Sequence, residues 1–363
     1  MEQSDNPVEA AEALIAGGRA HEAARALRAR LSEGRGGALA RVTLVKALLA
    51  CGEVEAALAE AREAVSLNPR LPTVLVALGE ALLAAENLPA AIAELQRALR
   101  VDPGHAEARF LTGRAWAAAG EADKALEIFD QLDPQTPGLK DWKARAEAMK
   151  SAARSDPGYV RHLFDQFSAE YDARMRGQLA YAAPEILGAL YDLVSGAGPA
   201  AQGRKDLRIL DLGCGTGLAG AVFRTRASRL DGVDLSPAMI DKAYARRIYD
   251  HLMVGDIETA LADSGPSYDL IVAADTLVYL GDLAPVFAGA RARLGQHGYF
   301  LFTVEAGPAD FALGPKRRWR HSEAYLRRAA ASAGFQVAGL VAASPRHEAN
   351  QPVEGFAVAL ATG

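Results

Sequence analysis

The chain has 363 residues and a formal net charge of -5; half of its residues are hydrophobic and 23% are charged. That length exceeds one typical domain, the composition is that of an ordinary water-soluble protein, and the acidic balance argues against a large nucleic-acid footprint. The start MEQSDNPVEA carries no apolar run of a secretory signal, and the uncharged stretch Ala329 to Pro345 is broken by Gly334, Gln336 and Gly339, unlike a membrane span. The only two cysteines, Cys51 and Cys214, and seven scattered histidines form no metal-ligand pattern, so a reducing, cytoplasmic setting is expected and no metal.

The first 140 residues repeat with a period of 34. Proline recurs at Pro69, Pro103 and Pro137, alanine at Ala23, Ala57, Ala91 and Ala125, and glycine at Gly18, Gly52 and Gly120, with Glu86 as the exception. Leu14, Leu48, Leu82 and Trp116 share a column, and so do Leu27, Ala61, Leu95 and Phe129. Each column has a physical reading: glycine turns the chain between antiparallel helices, alanine lets them cross closely, and proline ends the second helix. Four units follow, 4–37, 38–71, 72–105 and 106–139. They resemble the tetratricopeptide repeat, which implies an all-α solenoid whose concave face binds a partner or another subunit, or which only supports the second domain. Leu139, Trp142, Ala146 and Met149 lie at helical spacing and predict a capping helix, so the repeat domain is placed at 4–153.

Ser155 to Gly158 reads as a turn and a boundary, and the second domain is placed at 157–363. Its first part, 158–193, is helical: Val160, Leu163, Phe164 and Phe167 make one apolar stripe, followed by Tyr171, Leu179, Tyr181, Ile186 and Leu187. The phenylalanines read as a core-covering face, whereas Tyr171 and Tyr181 join a polar tip to an aromatic ring in a segment expected to lie near a cofactor. The stretch Ser195 to Asp206 predicts a loop.

From Leu207 strand-like and helix-like segments alternate, as in a parallel sheet covered on both faces. Strands are predicted near 207–212, 229–234, 251–255, 268–274, 298–304, 335–343 and 355–361, and helices near 217–227, 236–246, 282–294 and 321–333. SPRHEANQPVEG leaves room only for a loop, so the last two strands should be antiparallel. RILDLGCGTGLAG, from Arg208 to Gly220, reads as a buried strand, a glycine turn and a helix start. GTGLAG alone also fits a dinucleotide fingerprint, but Asp211 stands where a pyrophosphate would come and suits an ammonium or sulfonium ligand instead.

FDQFSAEYD (Phe164 to Asp172), DLGCGTG (Asp211 to Gly217), GVDLSPAMIDKA (Gly232 to Ala243), GDI (Gly255 to Ile257) and YDLIVAADTLVYL (Tyr268 to Leu280) together resemble class I S-adenosylmethionine-dependent methyltransferases. As a whole the sequence is similar to bacterial methyltransferases that carry tetratricopeptide repeats. The resemblance implies a Rossmann-like α/β domain with a seven-stranded sheet and an antiparallel last strand, with S-adenosylmethionine as cofactor. Asp211 would hold the methionine ammonium, and the N–H groups after Gly213 would meet the methionine part and ribose, with Cys214, Gly215 and Gly217 completing the turn. Asp234 is placed to accept hydrogen bonds from the ribose hydroxyls, or to cap the following helix, and Leu235 adjoins it. Met239 lies on the adenine face or in the core. Asp256 would accept from the adenine amino group, with Ile257 beside it, or would cap a loop; Ala274 completes the set.

Asp275 is the first polar residue after the fourth strand, where it would orient or deprotonate an acceptor or cap the turn after it; Tyr279 is a second candidate. In KRRWRHSEAYLRR, Lys316 to Arg328, Arg318 or Arg320 would bind an anionic acceptor and His321 would act as general base, unless the segment is a solvated loop. The expected function is methyl transfer by in-line displacement to an acceptor that is a small molecule or a protein, with the repeats recruiting a partner or mediating self-association. Neither nucleic acid nor membrane is expected as a partner. The competing reading is a non-catalytic adaptor in which cofactor binding is regulatory.

Overall fold

The computed structural model describes residues 6–168, 170–177, 179–196, 206–263, 265, 267–314 and 317–363. Ala169, the centre of the loop predicted at 195–206, Lys316 and the first residues of the opening repeat lie outside the described residues. The chain forms two units, Met1–Ser151 and Ala152–Gly363.

In the first unit the 34-residue period becomes four helix pairs: Pro7–Ala16 with Ala20–Ser32, Gly37–Ala50 with Val54–Leu67, Pro72–Ala84 with Leu88–Val101, and Ala106–Ala118 with Ala122–Phe129. Leu139–Ser151 is the capping helix. The repeat columns acquire physical causes here. Gly18, Gly52 and Gly120 turn the chain at φ between 74° and 76°, and Glu86 takes the same left-handed conformation at 58° despite its side chain. Ala23, Ala57, Ala91 and Ala125 are wholly buried at helix crossings. Gly79 and Gly113 admit the side chains of Leu95 and Phe129, which would lie 2.6 Å and 2.3 Å from an added Cβ.

The second unit holds eleven strands: β1 Leu207–Leu212, β2 Ala227–Asp234, β3 His251–Val254, β4 Tyr268–Ala273, β5 Leu294–Ala306, β6 Phe311–Leu313, β7 Trp319–His321, β8 Gln336–Ala343, β9 His347–Glu348, β10 Gln351–Pro352 and β11 Gly355–Ala361. The main sheet runs β3-β2-β1-β4-β5-β11-β8. Its first five strands are parallel, and β11 enters antiparallel between β5 and β8. This is the seven-stranded arrangement implied by the sequence. The period-two alternation sorts side chains to two cores. Leu210, Leu212, Ile271, Ala273, Phe300 and Phe302 face helices Ile257–Ala262, Ala284–Arg293 and Glu323–Ser332, whereas Ile209, Leu270, Val272 and Leu301 face Ala183–Val194 and Leu218–Phe223.

Two segments read from the sequence as loops carry strands. Trp319–His321 of the basic segment pairs in parallel with the end of β5 and antiparallel with β6. The 344–354 connection contains a two-residue ladder, β9 with β10, turning at Ala349 and Asn350 with φ of 48° and 61°. Both are short edge additions held by backbone pairing, which hydrophobic periodicity does not reveal.

Candidate functional site at the carboxyl edge of the sheet

A cavity lies at the carboxyl ends of β1, β2, β3 and β4. Gly213 and Gly215 form one side, Asp234 with Leu235 and Asp256 with Ile257 the next, and residues 274–276 with Tyr279 and Leu280 the far side. The lid helix Pro157–Phe167 closes it with Val160 and Phe164, and Tyr171 follows from the next helix, Tyr171–Gly177.

The turn after β1 is built around Gly213, at φ 65°. A Cβ there would lie 2.4 Å from the Thr276 side chain, whose hydroxyl donates to the Leu212 carbonyl at 3.0 Å, so only glycine lets the two loops meet. The turn's N–H groups differ from expectation. Cys214 N–H donates to the Val233 carbonyl at 3.0 Å and Gly215 N–H to Asp234 Oδ2 at 2.8 Å, so both tie the turn to the end of β2. Ser236 N–H donates to the other Asp234 oxygen at 2.9 Å, while the Ser236 hydroxyl caps helix Pro237–Ala245 by accepting from Met239 N–H. Burial pushes Asp234 up to about 6, against the pull of these two backbone donors.

Asp211 is buried behind the turn. Tyr249 donates to its Oδ2 at 2.7 Å, and Oδ1 has no hydrogen-bond partner among the described residues. Burial raises this carboxyl to about 7, opposed by the Tyr249 bond. Asp256 caps helix Ile257–Ala262 by accepting from Glu258 N–H at 3.0 Å, and its second oxygen meets the Arg154 guanidinium at 2.5 Å. Arg154 also binds Glu258.

Arg154 belongs to a strap that the sequence did not single out. The Ala153 carbonyl accepts from Gly281 and Asp282 N–H at 2.8 Å and 3.0 Å, and Ser155 N–H donates to the Tyr279 carbonyl at 2.8 Å. Residues 153–155 thus form a wall of the cavity against the loop after β4. The lid is also pinned: Asp165 accepts from the Ser236 hydroxyl at 2.5 Å, and Asp172 binds the Thr216 hydroxyl and Arg246.

The remaining expected residues separate. Met239 is fully buried away from the cavity lining. Tyr181 donates to the Ala274 carbonyl at 3.2 Å and fixes the end of β4. Gly217 begins helix Leu218–Phe223, and Cys214 is a buried thiol raised by desolvation, which suits a small packing residue and not a nucleophile.

His321 is fully buried on β7, 2.9 Å from the Gly281 carbonyl through Nε2 and stacked on Tyr325; burial lowers it to about 4. It lines neither this cavity nor its neighbour, and its place is structural. Within the described part of the basic segment, Arg318, Arg320, Arg327 and Arg328 meet Glu348, Glu305, Glu323 and Asp310 respectively.

Asp275 and Tyr279 do come together. Both line this cavity and also a second one of about 600 Å³ beside it, together with Phe164 and Tyr171. Phe164 meets the edges of Tyr171 and Tyr279, with centroids 6.1 Å and 5.6 Å apart. Asp275 sits at φ 58°, its N–H donates to the Thr303 hydroxyl at 2.8 Å, and its carboxylate binds Arg346. Arg346 is wholly buried among Asp275, Glu305 and Glu348. Arg346 escaped the sequence reading because only the long approach of the 344–354 loop to β4 and β5 brings these charges together.

Residues 210–300 match the family described as a methyltransferase domain, and residues 76–140 match the tetratricopeptide repeat. A segment that matches the tetratricopeptide repeat thus precedes one that matches a methyltransferase domain. Malonyl-[acyl-carrier protein] O-methyltransferase of Serratia marcescens is 31% identical over 124 residues, 33% of this chain and 48% of that protein. Magnesium-protoporphyrin O-methyltransferase of Rhodobacter capsulatus is 35% identical over 107 residues, 27% of this chain and 44% of that protein. The chain thus spans about half the length of these curated relatives. Among solved structures, magnesium protoporphyrin IX methyltransferase from Synechocystis PCC 6803 with bound SAH is similar over 58% of this chain and 100% of its own, at 17% identity and a TM-score of 0.44. Among the described residues no helix is long and apolar enough to cross a membrane.

Proposed function

We propose that the protein is an S-adenosylmethionine-dependent methyltransferase whose cofactor lies in the cavity at the ends of β1 to β4, with repeats that recruit a partner or assemble copies of the chain. The observation that carries this reading is the charge of the lining. Asp234, Asp256 and Asp275 face the cavity, and Arg154, its one cation among the described residues, is held by Asp256 and Glu258. A pyrophosphate would meet carboxylates there, whereas a ligand with ammonium and sulfonium charges and a dihydroxy sugar is complementary. The Asp211 carboxyl lies behind the turn, and its Oδ1 has no hydrogen-bond partner among the described residues. Val160, Leu235, Ile257 and Leu280 supply apolar faces for a flat base.

In this role Asp234 accepts from the ribose hydroxyls, Asp211 and Asp275 balance the cationic end, and Phe164, Tyr171 and Tyr279 exclude water where the methyl group leaves. The cofactor supplies an activated methyl group; the protein aligns donor and acceptor for in-line displacement. The relatives' names include methyl transfer to oxygen and, for the 18S rRNA (guanine-N(7))-methyltransferase of Bos taurus, to nitrogen, so they support methyl transfer without choosing the atom. A cytoplasmic location accords with the two free cysteines.

Calorimetry with S-adenosylhomocysteine tests the site. Asp234→Ala should weaken binding about 10- to 100-fold, the worth of one or two charge-assisted hydrogen bonds. No binding by the parent chain, or equal binding by the variant, would sink the proposal. Binding with no methyl transfer to any fraction of a cell extract would identify an adaptor.

A further inference from the structure

We propose that the methyl acceptor is a carboxylic acid with an apolar body, methylated on a carboxylate oxygen. This rests on the methyltransferase reading, and it is argued from the second cavity.

That cavity, about 600 Å³, opens onto the cofactor cavity through the shared residues Phe164, Tyr171, Asp275 and Tyr279. An acceptor there meets the methyl group at this junction. Its walls are apolar along Leu163, Phe167, Met175 and Leu179, which suits an aliphatic or aromatic body. The charged groups facing it are three arginines, Arg174, Arg318 and Arg346, against two carboxylates, Asp275 and Glu348. Arg346 is saturated by its three carboxylates, and Arg318 binds Glu348 and donates to the Tyr279 hydroxyl. Arg174 is exposed, lies 5.0 Å over the Phe167 ring, and has no carboxylate partner among the described residues. The Arg174 guanidinium is therefore the charge on this wall that no carboxylate among the described residues offsets, and it draws an anion.

At the junction the proton acceptor among the described residues is the Asp275 carboxylate alone. Among the described residues neither cavity is lined by a histidine or a lysine. The Tyr171 and Tyr279 hydroxyls are raised by burial and stay protonated, so they donate hydrogen bonds. The Asp275 carboxylate is clamped by Arg346. An alcohol, phenol or ammonium acceptor must shed a proton to react, and a carboxylate need not. Two phenols and the Arg318 guanidinium are hydrogen-bond donors suited to an anionic oxygen. In the step, a carboxylate lone pair forms a C–O bond to the methyl carbon. The C–S bond breaks and its electron pair stays on sulfur, so the sulfonium becomes a neutral thioether, the product is a methyl ester, and no proton moves.

The test uses the full chain with methyl-tritiated S-adenosylmethionine. Octanoate and 4-phenylbutyrate are compared with octanol and 4-phenylbutylamine, alongside the small-molecule fraction of a cell extract. Methyl esters release volatile methanol in alkali; ethers and methylamines do not. We expect alkali-volatile label, with the acids favoured at least about tenfold over the alcohol and amine. Arg174→Gln should raise KM for octanoate about fivefold with kcat and the affinity for S-adenosylhomocysteine unchanged. Alkali-stable label, preference for the alcohol or amine, an unchanged KM in the variant, or bound cofactor with no label anywhere overturns the proposal. Absence of S-adenosylhomocysteine binding would instead remove the methyltransferase reading beneath it.

Discussion

Replacing Arg346 by methionine keeps the length of the side chain and removes its charge. The guanidinium is wholly buried and binds Asp275, Glu305 and Glu348, so the variant leaves three carboxylates crowded with one fewer counter-charge. Breaking a buried ion pair by removing one partner costs about 3–5 kcal/mol, and Arg318 and Arg320, already on Glu348 and Glu305, compensate only in part. At 1.36 kcal/mol per decade, amide protection in β5 and β11 should fall by about two to three and a half orders of magnitude. Hydrogen exchange read by mass spectrometry resolves this by segment, and helices of the repeat domain serve as an internal reference. The loss must also depend on pH. Burial already raises the Asp275 carboxyl and Arg346 lowers it, so without Arg346 the folded state binds more protons and the penalty grows as pH rises through that interval. Lowering the pH from 8 to 5 should narrow the gap between variant and parent. A change of under one decade in protection, or a gap that widens on acidification, would refute this account of Arg346.

The cofactor site should respond to pH in the opposite sense to a simple surface. Asp211 at about 7 and Asp234 at about 6 must be ionised to hold a cationic ligand, so affinity for S-adenosylhomocysteine should fall as pH drops from 8 to 5.5, with proton release on binding seen as a buffer-dependent heat. Asp234→Asn should flatten the lower part of that profile. Gly220→Ala puts a methyl group 2.2 Å from the Tyr249 hydroxyl and should cost about 1–3 kcal/mol in chemical denaturation, with partial rescue by Tyr249→Phe. No rescue would show that the clash is not the cause. Arg154→Ala should weaken cofactor binding about tenfold by freeing Asp256, while leaving protection in β1 and β4 intact. Equal affinity in that variant would place Arg154 outside the site's function.

The sheet was legible because its strands are apolar and end on single polar residues. Asp211, Asp234, Asp256 and Asp275 mark the ends of β1 to β4 in the sequence itself, and the glycines between them mark the turn. The repeat was legible because a 34-residue period leaves small residues at each crossing. What escaped was set by long-range approach. His321 sits in a basic run, yet its ring is buried against Tyr325, because the short strand β7 turns it inward beside β5. Met239 was ambiguous in sequence, since a helix presents core and site residues with the same chemistry, and its full burial shows only where it lies. Arg154 and Arg346 lie far in sequence from the carboxylates they bind, and no local pattern announces such pairs.

The strap at residues 153–155 bears on where the second unit begins. The segment matching the methyltransferase family starts at 210, and the last repeat-domain helix ends at Ser151. Between them, the Ala153 carbonyl, the Arg154 guanidinium and the Ser155 amide complete the cavity wall. A gene fusion or truncation that kept every strand but joined the domain at residue 157 would therefore yield an intact sheet with an open cofactor site. Grafting the second unit onto another module has to carry along the few residues that immediately follow the repeats.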